Sequence, residues 1–351
     1  MREASLYKTF SDKSGKLIVK CLLCPSYCQI LDGDFGDCLV RQNIGGKLYT
    51  HSWGNVEGLA VDPIEKKPFF HFKPGIKALS FGTPGCNFRC DNCQNHLLSH
   101  SSYKNLKLTQ ASNIIKPESI VEAAIKYRVD GIAYTYSEPT IFFEMARDTI
   151  LAARNNELTR HLYNIFISNG YFSKEMLEMV DKERLVDAIN IDLKFMDDKK
   201  YQRITGGHLI PVLKSIERVY QLGNIHLEII NLVIPGENDS DNDLERLSDF
   251  VASVSTNIPL HFSRFYPRNK MSEHYPTPFE TLKKAVSVAR YAGMKYVYIG
   301  NTNIPGAEDT ICPNCGSVLI SRSQYGITKN VFKDNRKPIC PYCNTEINIV
   351  L

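Results

Sequence analysis

From residue 76 onward, the hydrophobic pattern of the chain alternates between two periods. Short runs of apolar, β-branched and aromatic residues are separated by longer segments in which apolar residues recur at helical spacing. The short runs predict strands over 76–81, 131–136, 162–167, 187–193, 226–234, 259–265 and 296–299. The segments between them predict helices over 117–128, 140–154, 173–181, 210–222, 241–254 and 277–292.

Six or seven βα units in succession predict a parallel sheet with right-handed crossovers. Helices of such regular spacing favour an α/β fold built on a complete or partial (β/α) barrel over a flat, doubly wound sheet. We expect three parts: a cysteine-rich N-terminal head over 1–75, the barrel over 76–306 and a zinc-ribbon-like tail over 307–351. Three prolines and clustered charge over 62–75 predict a loop that wraps onto the barrel.

The composition is that of an ordinary soluble globular protein, with 43% hydrophobic and 23% charged residues. A net charge of +4 is too small to indicate nucleic-acid binding by itself. No apolar run approaches the ~18 residues that cross a bilayer, and the first residues contain no hydrophobic signal segment. These features predict a cytoplasmic protein without membrane association.

All eleven cysteines fall into three groups along the chain. Cytoplasmic thiols stay reduced, so these residues are better interpreted as metal ligands than as disulfides. Four thiolates close a metal site, as is typical of structural sites, whereas three leave one position open for a substrate. The groups are Cys21, Cys24, Cys28 and Cys38; Cys86, Cys90 and Cys93; and Cys312, Cys315, Cys340 and Cys343.

The middle group has the spacing C-x3-C-x2-C and directly follows the first predicted strand. In a parallel barrel this position lies at the carboxyl ends of the strands, where active sites are built. Gly82 and Gly85 let the backbone turn tightly there. The alternative is a zinc loop completed by a distant ligand, but the strand, the glycines and the following βα units favour an iron–sulfur cluster.

This loop resembles the signature of the radical S-adenosylmethionine (SAM) superfamily. The resemblance implies that Cys86, Cys90 and Cys93 ligate a catalytic [4Fe–4S] cluster whose fourth iron binds SAM. Tyr136-Ser137-Glu138-Pro139 resembles the superfamily's Gly-Gly-Glu-Pro segment, in which the backbone and the Glu hold the amino group of SAM. The alternative for Glu138 is a negative charge at a helix N-terminus. Asn92 stands where the family usually has an aromatic residue that touches the adenine.

Other segments resemble the glycyl-radical-enzyme activases, such as pyruvate formate-lyase activase. Asp192 and Lys194 match their Asp-x-Lys motif, Ser168-Asn169-Gly170 their Thr-Asn-Gly, and His261 their strand-six His. The segments Cys21-Leu22-Leu23-Cys24-Pro25, Cys93-Gln94-Asn95 and His261-Phe262-Ser263-Arg264-Phe265, among others, resemble the radical SAM enzymes of the AmmeMemoRadiSam system. This resemblance covers almost the whole chain. The residues implied to bind SAM are therefore Ser137, Glu138, Ser168, Asn169, Asp192, Lys194 and His261.

The resemblance implies an activase-like oxidoreductase. A one-electron reductant would drive cleavage of SAM to a 5′-deoxyadenosyl radical, which abstracts hydrogen from a substrate. A macromolecule, with a protein glycine as the model, is the expected target. One alternative is radical modification of RNA or another macromolecule, with the tail as a docking module. The alternative from another class is a non-catalytic zinc scaffold that binds nucleic acid.

The two closed groups predict further metals. The tail contains the motif C-P-x-C twice, with 24 residues between the two copies. This pattern is typical of a zinc ribbon, and rubredoxin-like iron is the alternative. The head spacing, C-x2-C-x3-C-x9-C, favours structural zinc over an auxiliary [4Fe–4S] cluster, which four thiolates would hold equally well. Basic residues in the tail would support nucleic-acid binding, although a solvated face is the commoner explanation; they are Arg322, Lys329, Lys333, Arg336 and Lys337.

Overall fold

The computed structural model describes residues 1–101, 114–333 and 337–351. Within these ranges the head contains two small antiparallel sheets, in the orders β1-β6-β5 and β2-β3-β4. Its strands are β1 (Arg2–Glu3), β2 (Tyr7–Ser11), β3 (Leu17–Cys21), β4 (Gln29–Leu31), β5 (Arg41–Ile44) and β6 (Lys47–Thr50).

The centre of the molecule is an eight-stranded sheet in which seven strands run parallel. The strands are β7 (Glu57–Pro63), β8 (Lys77–Gly82), β9 (Gly131–Tyr134), β10 (Tyr163–Ser168), β11 (Ala188–Asp192), β12 (His226–Val233), β13 (Leu260–Arg264) and β14 (Val297–Gly300). The helices are α1 (His96–Ser99), α2 (Pro117–Tyr127), α3 (Phe143–Arg154), α4 (Lys174–Lys182), α5 (Asp198–Thr205), α6 (Leu209–Leu222), α7 (Asp241–Val254) and α8 (Phe279–Tyr291).

The strands β8 to β14 lie side by side in chain order. A doubly wound sheet reverses its strand order at a switch point, whereas this order is that of a (β/α) barrel, with every crossover on one face. Among the described residues β7 and β14 do not pair with each other, so the sheet stays open. The predicted strands are confirmed to within two residues at each end, and the predicted helices to within three.

Local chemistry fixes several helix starts. Pro117 occupies the first turn of α2, where its missing N–H costs nothing. The hydroxyls of Ser173 and Ser240 cap α4 and α7 by accepting bonds from backbone N–H groups in the first turn. The strand β11 is buried along four of its five residues, as expected for a parallel sheet covered on both faces.

The loop predicted over 62–75 is preceded by a strand that the sequence analysis did not predict. Residues Glu57–Pro63 form β7, which pairs antiparallel with β8 at the edge of the sheet. A short 3-10 turn follows at Ile64–Lys66, and only then does the chain wrap towards β8. Another element that the sequence analysis did not predict is α5, which proves important for the site.

The tail forms a three-stranded antiparallel sheet of β15 (Thr310–Ile311), β16 (Val318–Ser323) and β17 (Gly326–Asn330). Its apolar residues share one buried cluster with Phe70, Tyr296 and Tyr298. The tail therefore packs against the sheet and the segment before it rather than extending from them. Within the described ranges, no helix combines the length and the apolar character needed to span a membrane.

Candidate active site

A cavity of about 270 Å³ opens at the carboxyl ends of β8, β9, β10 and β11. This is the edge of a parallel sheet where ligands bind, because the connecting loops converge there. The cavity brings together the three middle cysteines and six of the seven residues predicted to contact SAM. They are Cys86, Cys90, Cys93, Ser137, Glu138, Ser168, Asn169, Asp192 and Lys194.

The cysteine loop is held in place by the end of α5. The backbone N–H of Arg89 donates to the carbonyl of Thr205 at 2.8 Å, and that of Asp91 donates to the carbonyl of Ile204 at 2.9 Å. These carbonyls belong to the last turn of α5 and have no partner within an ideal helix. The helix that the sequence analysis missed thus uses its free C-terminal carbonyls to fix the loop.

Phe88 anchors the same loop from within. Its ring is 1% exposed, lies 5.0 Å from the ring of Tyr171, and rests on Gly207. A Cβ at Gly207 would lie 2.1 Å from this ring, so only glycine leaves room for it. The backbone N–H of Phe88 points at the sulfur of Cys86, at 3.3 Å. The anchor therefore orients a donor towards a candidate ligand.

The spacing of the three sulfurs distinguishes between metals. One zinc ion with bonds of about 2.3 Å keeps tetrahedral sulfur ligands about 3.8 Å apart. Among the described residues, the middle cysteines do not form a group whose sulfurs all lie within 4.8 Å, whereas the tail cysteines do. The middle group is thus too wide for one zinc ion and suits a cluster in which each cysteine binds a different iron.

Burial makes these thiols poor anions in the absence of a metal. It raises the pKa of Cys90 to about 12 and that of Cys86 well above its usual value. For Cys86, the nearby carboxylate of Glu138 acts in the same direction. Since metal binding requires thiolates, loading this site releases protons and depends on pH.

Glu138 is 1% exposed and links the ends of β9 and β10. One carboxylate oxygen accepts bonds from the backbone N–H and the hydroxyl of Thr140 and from the hydroxyl of Ser168, at 2.6–3.0 Å. The other accepts from the backbone N–H of Asn169 at 2.8 Å. Burial raises the pKa of Glu138, and these donors oppose the rise. The side chain is therefore a preoriented acceptor at the wall of the cavity.

The strand end before Glu138 has the geometry that glycine normally supplies. Tyr136 has a φ of 64°, in the left-handed region that disfavours a side chain. Two contacts hold it: its hydroxyl donates to Asp62 at 3.2 Å, and the Lys67 ammonium lies 4.6 Å from its ring centre. Ser137 donates its hydroxyl to the carbonyl of Thr83 at 2.7 Å. Tyr136 is thus held by β7 and the turn after it, and Ser137 by the residue that follows β8.

Asp192 and Lys194 form an ion pair that lines the same cavity. Burial alone would lower the pKa of Lys194, but the Asp192 carboxylate and the nearby Cys90 raise it above its usual range. Lys194 therefore stays positively charged beside the cysteine loop. It can balance the charge of thiolates or of a bound carboxylate.

Three buried acceptors along this cavity have no hydrogen-bond partner in the described structure. They are the side-chain oxygens Oδ1 of Asn92, Asn190 and Asp192. A buried polar atom without a partner is costly, and a bound ligand is one way to satisfy it. The sequence analysis missed Asn190. Its position two residues before Asp192 on β11, and hence on the same face, is the signal that could have found it.

His261 lies outside this cavity. Its Nε2 bonds the carboxylate of Glu228 at 2.7 Å, and its ring stacks on Tyr298 at 5.1 Å between centres. It lines a neighbouring cavity together with Phe70 and Ser263. The structure thus separates His261 from the six other residues that the resemblance grouped with SAM.

The tail cysteines meet at one point. The sulfurs of Cys312 and Cys343 lie 3.5 Å apart, and those of Cys315 and Cys340 lie 3.7 Å apart. All four fall within 4.8 Å of one another, which is the spacing of a single tetrahedral metal ion. The group can therefore hold one metal ion.

The basic residues of the tail do not form one exposed face. Arg322 is 7% exposed, and its guanidinium donates to the carbonyls of Phe70 and Glu308 at 2.7 and 2.9 Å. It therefore serves docking of the tail and is not available to a nucleic acid. Arg336 lies outside the described residues.

This chain is similar in sequence to a known protein family and to several known proteins. The family model of the Radical SAM superfamily matches residues 81–249. An uncharacterized protein of Methanocaldococcus jannaschii is 42% identical over 354 residues, which span 100% of both chains. A protein of that organism with the provisional name glycyl-radical enzyme activating enzyme is 26% identical over 60% of this chain and 76% of its own. Pyruvate formate-lyase 1-activating enzyme of Escherichia coli is 21% identical over 64% of this chain and 93% of its own.

Proposed function

Because this chain belongs to the radical SAM superfamily of enzymes, we propose that Cys86, Cys90 and Cys93 hold its [4Fe–4S] cluster and that SAM binds beside it in the same cavity. The observation that carries the proposal is the convergence of three widely spaced thiols and six polar side chains at four adjacent strand ends. Membership of an enzyme superfamily sets aside the non-catalytic zinc scaffold.

The donor and acceptor pattern of the cavity fits SAM. SAM carries donors in its ammonium group, its ribose hydroxyls and its adenine amino group, and the cavity offers the unpartnered oxygens of Asn92, Asn190 and Asp192. Glu138 stands next to the cysteine loop as the acceptor for the ammonium, and Lys194 as the cation for the carboxylate. Asn92 would bond the adenine edge in place of the aromatic contact usual in the family.

Part of the cavity wall is apolar. Ile167, Ile230 and Leu232 lie between the polar walls, and such lining limits the water around a bound ligand. When bound, the cluster supplies one electron to SAM, whose cleavage gives methionine and a 5′-deoxyadenosyl radical that abstracts hydrogen from the substrate. The chain's part is to orient SAM and to hold its charges.

The substrate we propose is a protein glycine on a glycyl-radical-type partner. Two of the relatives described above carry names of activating enzymes, one for glycyl-radical enzymes and one for pyruvate formate-lyase. The Asp192 and Lys194 pair, common to the activase resemblance, lines the cavity. For the tail we propose zinc, since its sulfur spacing matches one tetrahedral ion.

Cleavage of SAM is tested under anaerobic conditions. The protein is loaded with iron and sulfide, reduced with dithionite and mixed with SAM, and 5′-deoxyadenosine and methionine are quantified by chromatography. We expect both products in equal amounts, with neither forming when dithionite is left out. Iron-loaded protein that forms no 5′-deoxyadenosine would refute the proposal.

One substitution tests the strand-end geometry of the SAM site. A Cβ at Gly82, the last residue of β8, would lie 2.5 Å from the carbonyl oxygen of Thr135, so Gly82→Ala must separate the ends of β8 and β9. Strain of about 1–3 kcal/mol is expected, and we expect SAM affinity in equilibrium dialysis to fall roughly tenfold or more. The matched control is Gly300→Ala at the end of β14, where the added Cβ would meet no atom of the described residues within 4 Å apart from those of Gly300 and its two neighbours. Equal affinity of the two variants for SAM would contradict the prediction.

A further inference from the structure

The four head cysteines line a second cavity at the junction of the head and the barrel. Cys21 ends β3, Cys28 directly precedes β4, and Cys24 and Cys38 lie in the turns beside them. Other walls of this cavity come from the barrel, through Asn87 and Ile141. The thiols thus converge from separate turns on one space, as ligands of one metal centre do.

The spacing of the head sulfurs is not that of a zinc site. Among the described residues, no three of the four head cysteines have their sulfurs within 4.8 Å of one another. In the tail of the same molecule, two pairs of cysteine sulfurs lie 3.5 and 3.7 Å apart. These distances are near the roughly 3.8 Å that separates sulfur ligands of a tetrahedral zinc ion. The head cysteines, like the middle group, are therefore too widely spaced for three of them to bind one zinc ion, and they suit ligands that each bind a different iron.

A buried cation faces the head thiols. Arg41 is 1% exposed and lines the cavity, with one guanidinium nitrogen 3.8 Å from the sulfur of Cys21 and another 2.6 Å from the carboxylate of Glu144. Its Nε–H is buried and has no partner in the described structure. This free donor fits an iron–sulfur cluster, whose inorganic sulfides are additional hydrogen-bond acceptors. Hydrogen bonds to sulfur shift the reduction potential of such clusters.

The head cavity is joined to the catalytic cavity by the cysteine loop itself. Asn87 directly follows Cys86 and lines the head cavity, while its Oδ1 accepts a bond at 2.8 Å from Asn169, which lines the catalytic cavity. Arg89 donates to the carbonyls of both Cys86 and Cys38, at 2.8 and 3.4 Å. The ligand loops of the two groups are therefore in direct contact.

We propose that Cys21, Cys24, Cys28 and Cys38 hold a second iron–sulfur cluster, in place of the zinc that the sequence spacing favoured, and that this cluster delivers electrons to the catalytic one. An external one-electron reductant reduces the head cluster. The head cluster is reoxidised when the electron moves to the cluster on Cys86, Cys90 and Cys93, with no bond or proton transferred. The delivery step rests on the proposed function, whereas the assignment of the metal does not.

Metal analysis of the wild-type protein after anaerobic reconstitution tests the assignment. Acid-labile sulfide, iron and zinc are measured per chain. Two [4Fe–4S] clusters require about eight sulfides, with one zinc left for the tail. About four sulfides and two zinc ions would overturn the proposal. Sulfide is the decisive count, because rubredoxin-like iron in the tail adds iron without sulfide.

Two matched variants locate the second cluster. The triple variant C86A/C90A/C93A is expected to keep about four sulfides and an electron paramagnetic resonance signal after reduction with dithionite. Cys24→Ala combined with Cys28→Ala is expected to lose that cluster and to keep the catalytic one. A triple variant that binds tail zinc but holds no sulfide would overturn the assignment, and this result does not require the head variant to fold.

The delivery step has its own readout. When both clusters of the wild type are reduced, two nearby paramagnetic centres broaden each other's resonance, so its spectrum should differ from the sum of the two variants' spectra. A wild-type spectrum equal to that sum would overturn the delivery step. Eight sulfides without 5′-deoxyadenosine formation would refute the proposed function alone, and four sulfides with formation would refute the second cluster alone.

Discussion

Replacing Cys90 with alanine is expected to abolish formation of 5′-deoxyadenosine. Cys90 lines the cavity between the other two cysteines of a group that has no spare ligand, so its loss leaves two thiols to hold the cluster. We expect the rate to fall at least about 1,000-fold, which corresponds to about 4 kcal/mol of activation free energy. The measurement is product formation under dithionite, together with the cluster absorbance of the loaded protein.

The matched control for this variant is Cys315→Ala. Cys315 is an exposed member of the tail group, so its replacement removes a thiol and a metal ligand without touching the cavity. We expect this protein to lose tail metal and to form 5′-deoxyadenosine at the wild-type rate. A Cys90→Ala protein with more than a few per cent of wild-type activity, or equal losses in both variants, would contradict the role given to the middle group.

Much of the catalytic cavity could be predicted because its residues stand directly after strands. Once the alternation of short apolar runs and helical segments is recognised, parallel topology forces the ends of β8 to β11 to one edge. Glu138, Asn169 and Asp192 then meet although they lie far apart in sequence. No knowledge of side-chain packing is needed for that step.

Two of the elements that the sequence analysis missed, α5 and β7, have weak patterns of their own. The helix α5 buries only three of its eight residues, and it depends on Asp197 as its cap and on its contact with the cysteine loop. The strand β7 is exposed along its first five residues and exists because it pairs with β8. Tertiary contacts decide both elements, and a local pattern does not contain such contacts.

Spacing along the chain also leaves metals ambiguous. The four thiols of the head and the four of the tail differ in spacing, but neither spacing decides the metal, since zinc and iron–sulfur clusters both accept thiolate ligands. What separates them is the distance between sulfurs after folding, which brings the tail cysteines together and keeps the head cysteines apart. The role of His261 is ambiguous in the sequence for a similar reason. The sequence does not reveal that its imidazole bonds the buried carboxylate of Glu228.

Glu228 is a buried carboxylate that ties the interior of the sheet to the segment preceding β8. It is fully buried on β12 and accepts bonds from the backbone N–H groups of Phe70 and His71 at 2.8–3.1 Å. It also bonds the imidazoles of His226 and His261 at 3.0 and 2.7 Å. Burial would raise its pKa, but these histidine bonds hold the pKa of Glu228 well below its usual range. The folded protein therefore keeps an ionised acceptor surrounded by donors.

We expect Glu228→Gln to lower the free energy of unfolding by about 3–5 kcal/mol. The amide has the same shape, but it loses the negative charge and turns an –NH2 group towards N–H donors that then have no acceptor. The measurement is urea unfolding of the metal-loaded protein under anaerobic conditions, followed by circular dichroism. The matched control is Glu280→Gln in the first turn of α8, whose side chain is 83% exposed and for which we expect a change within about 0.5 kcal/mol. A loss below about 1 kcal/mol for Glu228→Gln would mean that the donors around this carboxylate find other acceptors, and that its bonds do not hold the preceding segment against the sheet.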